Sequence, residues 1–130
     1  MEDIKNIFIK KKILIYGLGK SGLSSYYFLK KNNNLYLYDD DKKVVKSKKI
    51  KKIFIRPENI FKNNFDFIVI SPGIDINKCS LKDFLKKNLK KIITDLDIFY
   101  SHYFKNRNIT ITGTNGKSTT AKILFDILKN

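Results

Sequence analysis

An α/β fold with a doubly wound parallel sheet is predicted by three observations. Short runs of β-branched and aromatic residues recur at fairly even intervals along the 130 residues. Stretches with apolar residues at helical spacing lie between them, and a glycine-rich loop follows the first run directly. The runs are continuously apolar and do not alternate, which is the pattern of parallel strands covered on both faces.

The elements follow in order. Lys12 to Tyr16 (KILIY) reads as a first strand, Leu35 to Tyr38 (LYLY) as a second and Ile53 to Ile55 as a short third. Phe67 to Ile70 (FIVI), Lys91 to Thr94 (KIIT) and Ile109 to Thr112 (ITIT) complete the set. Helical spacing marks Ser21 to Lys31, Leu81 to Asn88 and Leu96 to Phe104, with Ser80 expected to cap the second of these and Asp83 in its first turn. The polar, Lys-rich stretch from Asp40 to Lys52 reads as surface, with a short helix expected there. A polar break at Lys105-Asn106-Arg107-Asn108 marks the expected domain boundary, with one domain over 1–107 and a second opening over 108–130.

Composition bounds the function. A formal charge of +15 invites a nucleic-acid reading. The basic residues are almost all Lys, however, with Arg56 and Arg107 as the arginines, whereas phosphate grooves and base edges favour the bidentate fork of Arg. Lys, Asn, Ile, Phe and Tyr abound and Ala121 is the sole alanine, so A/T-rich codon bias accounts for the charge and no nucleic-acid partner is expected. Cys79 stands alone, which fits a reducing cytoplasm and a packing role. The lone His102, among Tyr100, Tyr103 and Phe104, reads as structural at a helix end. Lys5 and Lys10 to Lys12 interrupt the apolar N-terminus, and the longest apolar runs fall far short of the ~20 residues that span a bilayer. The expectation is a cytoplasmic monomer with no membrane partner.

Three loops carry chemistry. Gly17-Leu18-Gly19-Lys20-Ser21-Gly22 lies between the first strand and a helix, where glycines permit a tight turn and let backbone amides approach a diphosphate. Asp39 ends the second strand about twenty residues later, the place of an acidic residue that holds a ribose hydroxyl. This makes the domain Rossmann-like. Ser71-Pro72-Gly73-Ile74 follows the FIVI strand, at the strand end where α/β sheets place ligand contacts. The third loop, Gly113-Thr114-Asn115-Gly116-Lys117-Ser118-Thr119, joins the ITIT run to a helix-like stretch. Backbone N–H groups there can converge on phosphates, Lys117 can reach the terminal ones and Ser118 can meet Mg²⁺. Ile111 stands where the first glycine of the standard Walker spacing would be. Thr120 to Asn130 follow this loop, so the expected fold is a Rossmann-like domain followed by the first strand–P-loop–helix of a truncated ATP-binding domain.

These sites in this order resemble the Mur ligases, the ATP-dependent amino-acid ligases of peptidoglycan synthesis. The residues that carry the resemblance are GLGKSG at 17–22, SPGI at 71–74, TDLDIF at 94–99 and GTNGKST at 113–119. The Gly-Leu-Gly form of the first loop and the SPG loop favour the branch that joins D-glutamate to UDP-N-acetylmuramoyl-L-alanine. The resemblance spans essentially the whole chain, as a first domain and the opening of a second. It implies that Gly19, Lys20 and Ser21 lie near a uridine diphosphate, Asp39 near the uracil or ribose, and Ser71 and Gly73 against the nucleotide-sugar. Asp40 and Asp41 stand where some members place a threonine and an arginine. It further implies that Gly113 to Thr119 bind ATP, with Lys117 as the catalytic lysine on the β/γ-phosphates and Ser118 as Mg²⁺ ligand. The implied reaction is phosphorylation of the alanyl carboxylate by ATP and attack of the D-glutamate amine on the acyl phosphate. Such a ligase also needs an acidic Mg²⁺ ligand, a modified lysine and a C-terminal amino-acid-binding domain. None can be placed in Thr120 to Asn130, so this chain is expected not to catalyse ligation alone, and Ile123, Leu124, Ile127 and Leu128 are expected to be partly exposed.

Other readings compete on the residues themselves. An NAD(P)-binding oxidoreductase domain accounts for the first glycine loop and Asp39 but leaves the second phosphate loop without a task. A nucleotide-binding fragment without catalysis uses both loops. A basic nucleic-acid module rests on charge alone.

Overall fold

In β1 (Lys12–Tyr16) the residues from Ile13 onward, and in β3 (Phe67–Ile70) all four, form continuous apolar runs because both strands lie inside the sheet. In the computed structural model, which describes residues 7–47 and 53–129 (only the backbone for 45–47), four parallel strands are ordered β2-β1-β3-β4. Here β2 is Asn34–Tyr38 and β4 is Ile92–Ile93. The register sets Tyr16 beside Tyr38 and Ile70, so β1, β2 and β3 end at one level.

Alternate side chains of each strand serve opposite faces. Ile13 and Ile15 pack with Leu18, Leu29, Leu35, Leu37, Val69 and Ile98 on the face covered by α1 (Lys20–Leu29) and α5 (Asp95–His102). Leu14 and Tyr16 pack with Ile60, Phe65, Ile68, Leu81, Phe84 and Leu85 on the other, beneath α3 (Pro57–Phe61) and α4 (Lys82–Lys87). Full burial of each such aliphatic side chain contributes about 1.5–3 kcal/mol, which makes the sheet centre the most strongly held part of the molecule. A short α2 (Lys42–Ser47) occupies part of the polar stretch after β2, as expected, and 48–52 lie outside the described residues.

Three sequence expectations change. The run Ile53–Ile55 forms a single parallel bridge, Leu37 to Phe54, with Ile55 N–H donating to Leu37 O at 3.0 Å. The chain must turn at once into α3, where Pro57 takes a first-turn position, so no ladder can propagate. Ser80 does not cap α4: the cap position is Leu81 without a side-chain bond, and the Ser80 hydroxyl is engaged elsewhere. Ile109–Thr112 is not a strand. An extended run becomes one only with a hydrogen-bonded neighbour, and none of the four strands pairs with it.

The last helix, α6 (Lys117–Lys129), forms as its apolar spacing requires but has no buried residue, and Ile123, Phe125, Ile127 and Leu128 are exposed. Helix α5 starts with a reciprocal cap that the sequence reading passed over. Thr94 Oγ1 accepts from Asp97 N–H at 3.4 Å, and Asp97 Oδ2 accepts from Thr94 N–H at 2.7 Å. His102 ends α5 with its ring edge-on to Phe28 at 5.0 Å, and Cys79 packs half-buried against the core, both as expected.

Candidate nucleotide site at the strand ends

The chain leaves β1 towards β2 on one side and returns to β3 on the other, so the connections after β1 and β3 run to opposite sides of the sheet. This is the topological switch point at which open α/β sheets bind ligands, and the candidate crevice of this fold. The Gly17–Gly22 loop and the Ser71–Ile74 turn both sit at that point. Gly17 has φ +89°, and an added Cβ would lie 2.7 Å from Ile74 Cδ1 and 2.8 Å from Ser71 Cβ. At Gly22 a Cβ would lie 1.8 Å from Gly17 O. These two glycines let the loop fold against itself and against the neighbouring turn. Gly19 differs: nothing lies within 4 Å of its Cβ position, and it is the cap residue of α1, with no side-chain bond to the first-turn amides. Those amides lack intrahelical partners by the geometry of a helix start, and the helix dipole favours an anion there.

The neighbouring segments are tied to this loop. Ser71 Oγ donates to Gly17 O at 2.9 Å, Ser71 N–H to Tyr16 O at 3.0 Å, and Ile74 N–H closes the turn on Ser71 O at 3.0 Å. Asp39 Oδ2 accepts from Leu18 N–H at 2.7 Å and its Oδ1 from Asp41 N–H at 2.8 Å. Gly17, Gly22, Asp39 and Ser71, far apart in sequence, therefore form one constellation. Lys20 and Gly73 are exposed at its margin, and Ser21 is half-buried.

A second carboxylate lies beside it. Asp40 Oδ2 accepts from Tyr16 Oη at 2.5 Å, and its Oδ1 accepts from Tyr38 Oη at 3.1 Å and from Ser80 Oγ. The Tyr38 and Ser80 hydroxyls are 3.0 Å apart. Burial pushes the Tyr16 phenol far above its ordinary pKa, and the hydrogen bond to Asp40 adds to this. Tyr38 is raised for the same reasons, in part offset by its bond to Ser80. For Asp40, desolvation acts upward, but hydrogen bonds from Ser80, Tyr16 and Tyr38 outweigh it and hold the carboxyl below its usual value. Sequence reasoning missed this cluster. Its available signal was a tyrosine at the end of each of two runs, since a buried phenol needs a polar partner.

The segment 113–119 has local order of its own. Gly113 and Gly116 have φ +148° and +76°, α6 starts at Lys117, and Thr120 N–H donates to Gly116 O at 2.9 Å. Lys117 Nζ folds back onto the carbonyls of Gly113 and Thr114. Thr114, Asn115, Ser118 and Thr119 are exposed. Among the described residues no group of three or more His, Cys, Asp or Glu could hold a metal ion, and no helix is long and apolar enough to cross a membrane.

A family described as Mur ligase MurD-like, N-terminal domain, matches residues 11–93, which take in β1 through β4 and both loops of the crevice. The chain belongs to the MurD-like Mur ligases. Among curated proteins, the UDP-N-acetylmuramoylalanine--D-glutamate ligase of Francisella tularensis subsp. tularensis (strain WY96-3418) is 41% identical over 70 residues, 52% of this chain and 17% of that protein. The enzyme of the same name from Francisella tularensis subsp. novicida (strain U112) is 41% identical over 69 residues, 52% of this chain and 16% of that protein. The chain thus matches about one-sixth of the length of these Mur ligase relatives. No solved structure matches.

Proposed function

We propose that the crevice binds the UDP part of UDP-N-acetylmuramoyl-L-alanine, as the nucleotide-sugar domain of a D-glutamate-adding ligase of peptidoglycan synthesis in the cytoplasm. One observation carries this reading. Gly17 and Gly22 are sterically compelled by the loop's own packing, whereas Gly19 faces open space at a helix start. A glycine with no internal steric reason, placed beside free first-turn amides, leaves room for a diphosphate. Lys20 and Ser21 then supply charge and a hydroxyl to the phosphates, while Ser71 and Gly73 meet the sugar side. Asp39 holds the loop through Leu18 and, at the end of β2, is the acidic residue proposed to take a ribose hydroxyl.

The second half of the proposal is that Gly113, Thr114, Asn115, Gly116, Lys117, Ser118 and Thr119 form the phosphate loop for ATP, in a second unit starting near residue 108. The residues fit such a group: positive-φ glycines bracket Thr114 and Asn115, and a lysine opens a 13-residue helix. Lys117 would hold the terminal phosphates and Ser118 the Mg²⁺. A Mg²⁺ ion held there would supply neutralisation of phosphate charge. In this chain Lys117 has the backbone carbonyls of Gly113 and Thr114 as partners, and no acidic metal cluster is present among the described residues. The proposal extends to these 130 residues as a monomer that binds the nucleotide-sugar and does not by itself complete ligation.

Calorimetric titration of the chain with UDP, UDP-N-acetylmuramoyl-L-alanine and NAD tests the proposal. Saturable binding of the two uridine ligands is expected. Binding of NAD with no affinity for either uridine ligand would replace the reading with an oxidoreductase domain. Phosphate release from ATP, dependent on both ligase substrates, would refute inactivity of the isolated chain.

A further inference from the structure

We propose that Asp40 is a positioning residue for the nucleotide site, one carboxylate that joins the ends of β1 and β2 to the 71–81 segment and so sets the shape of the crevice. The inference rests on the uridine diphosphate reading above and adds to it a residue whose carboxylate is engaged by Tyr16, Tyr38 and Ser80 and acts through them. Its basis is the arrangement of partners. Tyr16 is fully buried and immediately precedes Gly17, the start of the glycine loop. Tyr38 immediately precedes Asp39, whose carboxylate accepts from Leu18 N–H in the middle of that loop. Ser80 closes the segment that starts with Ser71, whose hydroxyl donates to Gly17 O. The hydroxyls of Tyr16, Tyr38 and Ser80 all meet on the Asp40 carboxylate.

Asp39 and Asp40 thus work on one loop from adjacent positions. Asp39 grips its backbone, and Asp40 fixes the tyrosines at the end of β1, which leads into the loop, and at the end of β2, which leads into Asp39. Charge-assisted hydrogen bonds are the stronger kind, and a carboxylate can accept several at once, so one residue can join three segments where a single hydroxyl could join two. Removing the carboxylate takes the charged acceptor from Tyr16 and Tyr38 and unties Ser80. The glycine loop and the Ser71 turn then lose their common support, while the core beneath them stays packed.

The test compares Asp40→Ala, Asp40→Asn, Ser80→Ala and the double variant Asp40→Ala/Ser80→Ala with wild type, using Thr94→Ala as a control that removes a helix cap on another element. UDP dissociation constants are read by calorimetry, and backbone amide exchange is read over Gly17–Gly22 and Ser71–Ile74. Expected are a loss of UDP affinity of about tenfold in Asp40→Ala and about threefold in Ser80→Ala, with the double variant no weaker than Asp40→Ala. Asp40→Asn, which keeps one acceptor, recovers part of the loss, and both loops exchange faster in Asp40→Ala than in Thr94→Ala. Unchanged affinity in Asp40→Ala overturns the proposal. So does a loss in Asp40→Ala without any in Ser80→Ala, which marks direct contact with the ligand. If wild type does not bind UDP, the functional reading fails by itself, and loop exchange equal in Asp40→Ala and Thr94→Ala overturns the positioning role separately.

Discussion

A Cβ on Gly22 would lie 1.8 Å from the carbonyl oxygen of Gly17, so the first turn of α1 rests directly on the start of its own loop. The contact is backbone against side-chain position, and neither partner can rotate away. Gly22→Ala therefore has to push α1 off the loop. The gain in helix propensity, at most about 1 kcal/mol, does not offset an overpacking cost of about 1–3 kcal/mol or more. Chemical denaturation is expected to show a lower midpoint, and calorimetry a loss of UDP binding.

Gly19→Ala separates binding from folding. Its φ of −67° suits any residue and its Cβ meets nothing within 4 Å. A stability cost of no more than about 1 kcal/mol, that of alanine for glycine at a helix cap, is expected, with UDP affinity reduced at least tenfold, because the new methyl occupies the side from which the diphosphate approaches. Equal affinity would remove Gly19 from the site.

Thr94→Ala removes one half of the reciprocal cap on α5. The expected cost is about 1 kcal/mol, a drop in Tm of about 2–8 °C, with no change in UDP affinity. A thermal melt beside a UDP titration checks both.

Lys117→Ala should abolish ATP binding and leave UDP binding unchanged, since its partners are the carbonyls of Gly113 and Thr114 and not the Gly17 loop. Competition between a fluorescent ATP analogue and ATP measures the first, calorimetry the second. Retained ATP affinity would mean that 113–119 is not the phosphate loop.

Stability should fall at both ends of the pH scale, through the same cluster. The phenols of Tyr16 and Tyr38 are raised in the folded chain, so their contribution is complete below the unfolded value of about 10 and is lost as pH climbs above it. The Asp40 carboxyl is lowered, so its contribution is present above the unfolded value of about 3.9 and disappears as pH drops through the folded one. Urea midpoints measured across pH are expected to decline in both directions, and Tyr16→Phe should flatten the alkaline limb.

Much of this molecule is readable from local pattern. The strand runs 12–16 and 67–70 coincide with β1 and β3 because the stretch of a strand covered on both faces, here from Ile13 and from Phe67, must be apolar. The helix after Gly19 and the one opening at Lys117 follow from spacing and from the glycines before them. Where pattern misled, the cause was a partner that a one-dimensional reading does not supply. Ile109–Thr112 has strand composition but no neighbouring ladder, and Ile53–Ile55 runs into Pro57 before a second pair can form. Ser80 has the chemistry of a helix cap, yet Asp40 and Tyr38 offer its hydroxyl a different engagement.

The sequence by itself determined the α/β class, the order of the main elements and the membership of the MurD-like family, because periodicity, glycine placement and short motifs are properties of neighbours along the chain. Only the tertiary structure decided which glycines are compelled by packing and which is left open, and which carboxylate supports which loop. Most of those outcomes depend on distances between segments far apart in the chain, such as Ser71 Oγ to Gly17 O at 2.9 Å and Tyr16 Oη to Asp40 at 2.5 Å. They are fixed when parallel strands bring their carboxyl ends to one level.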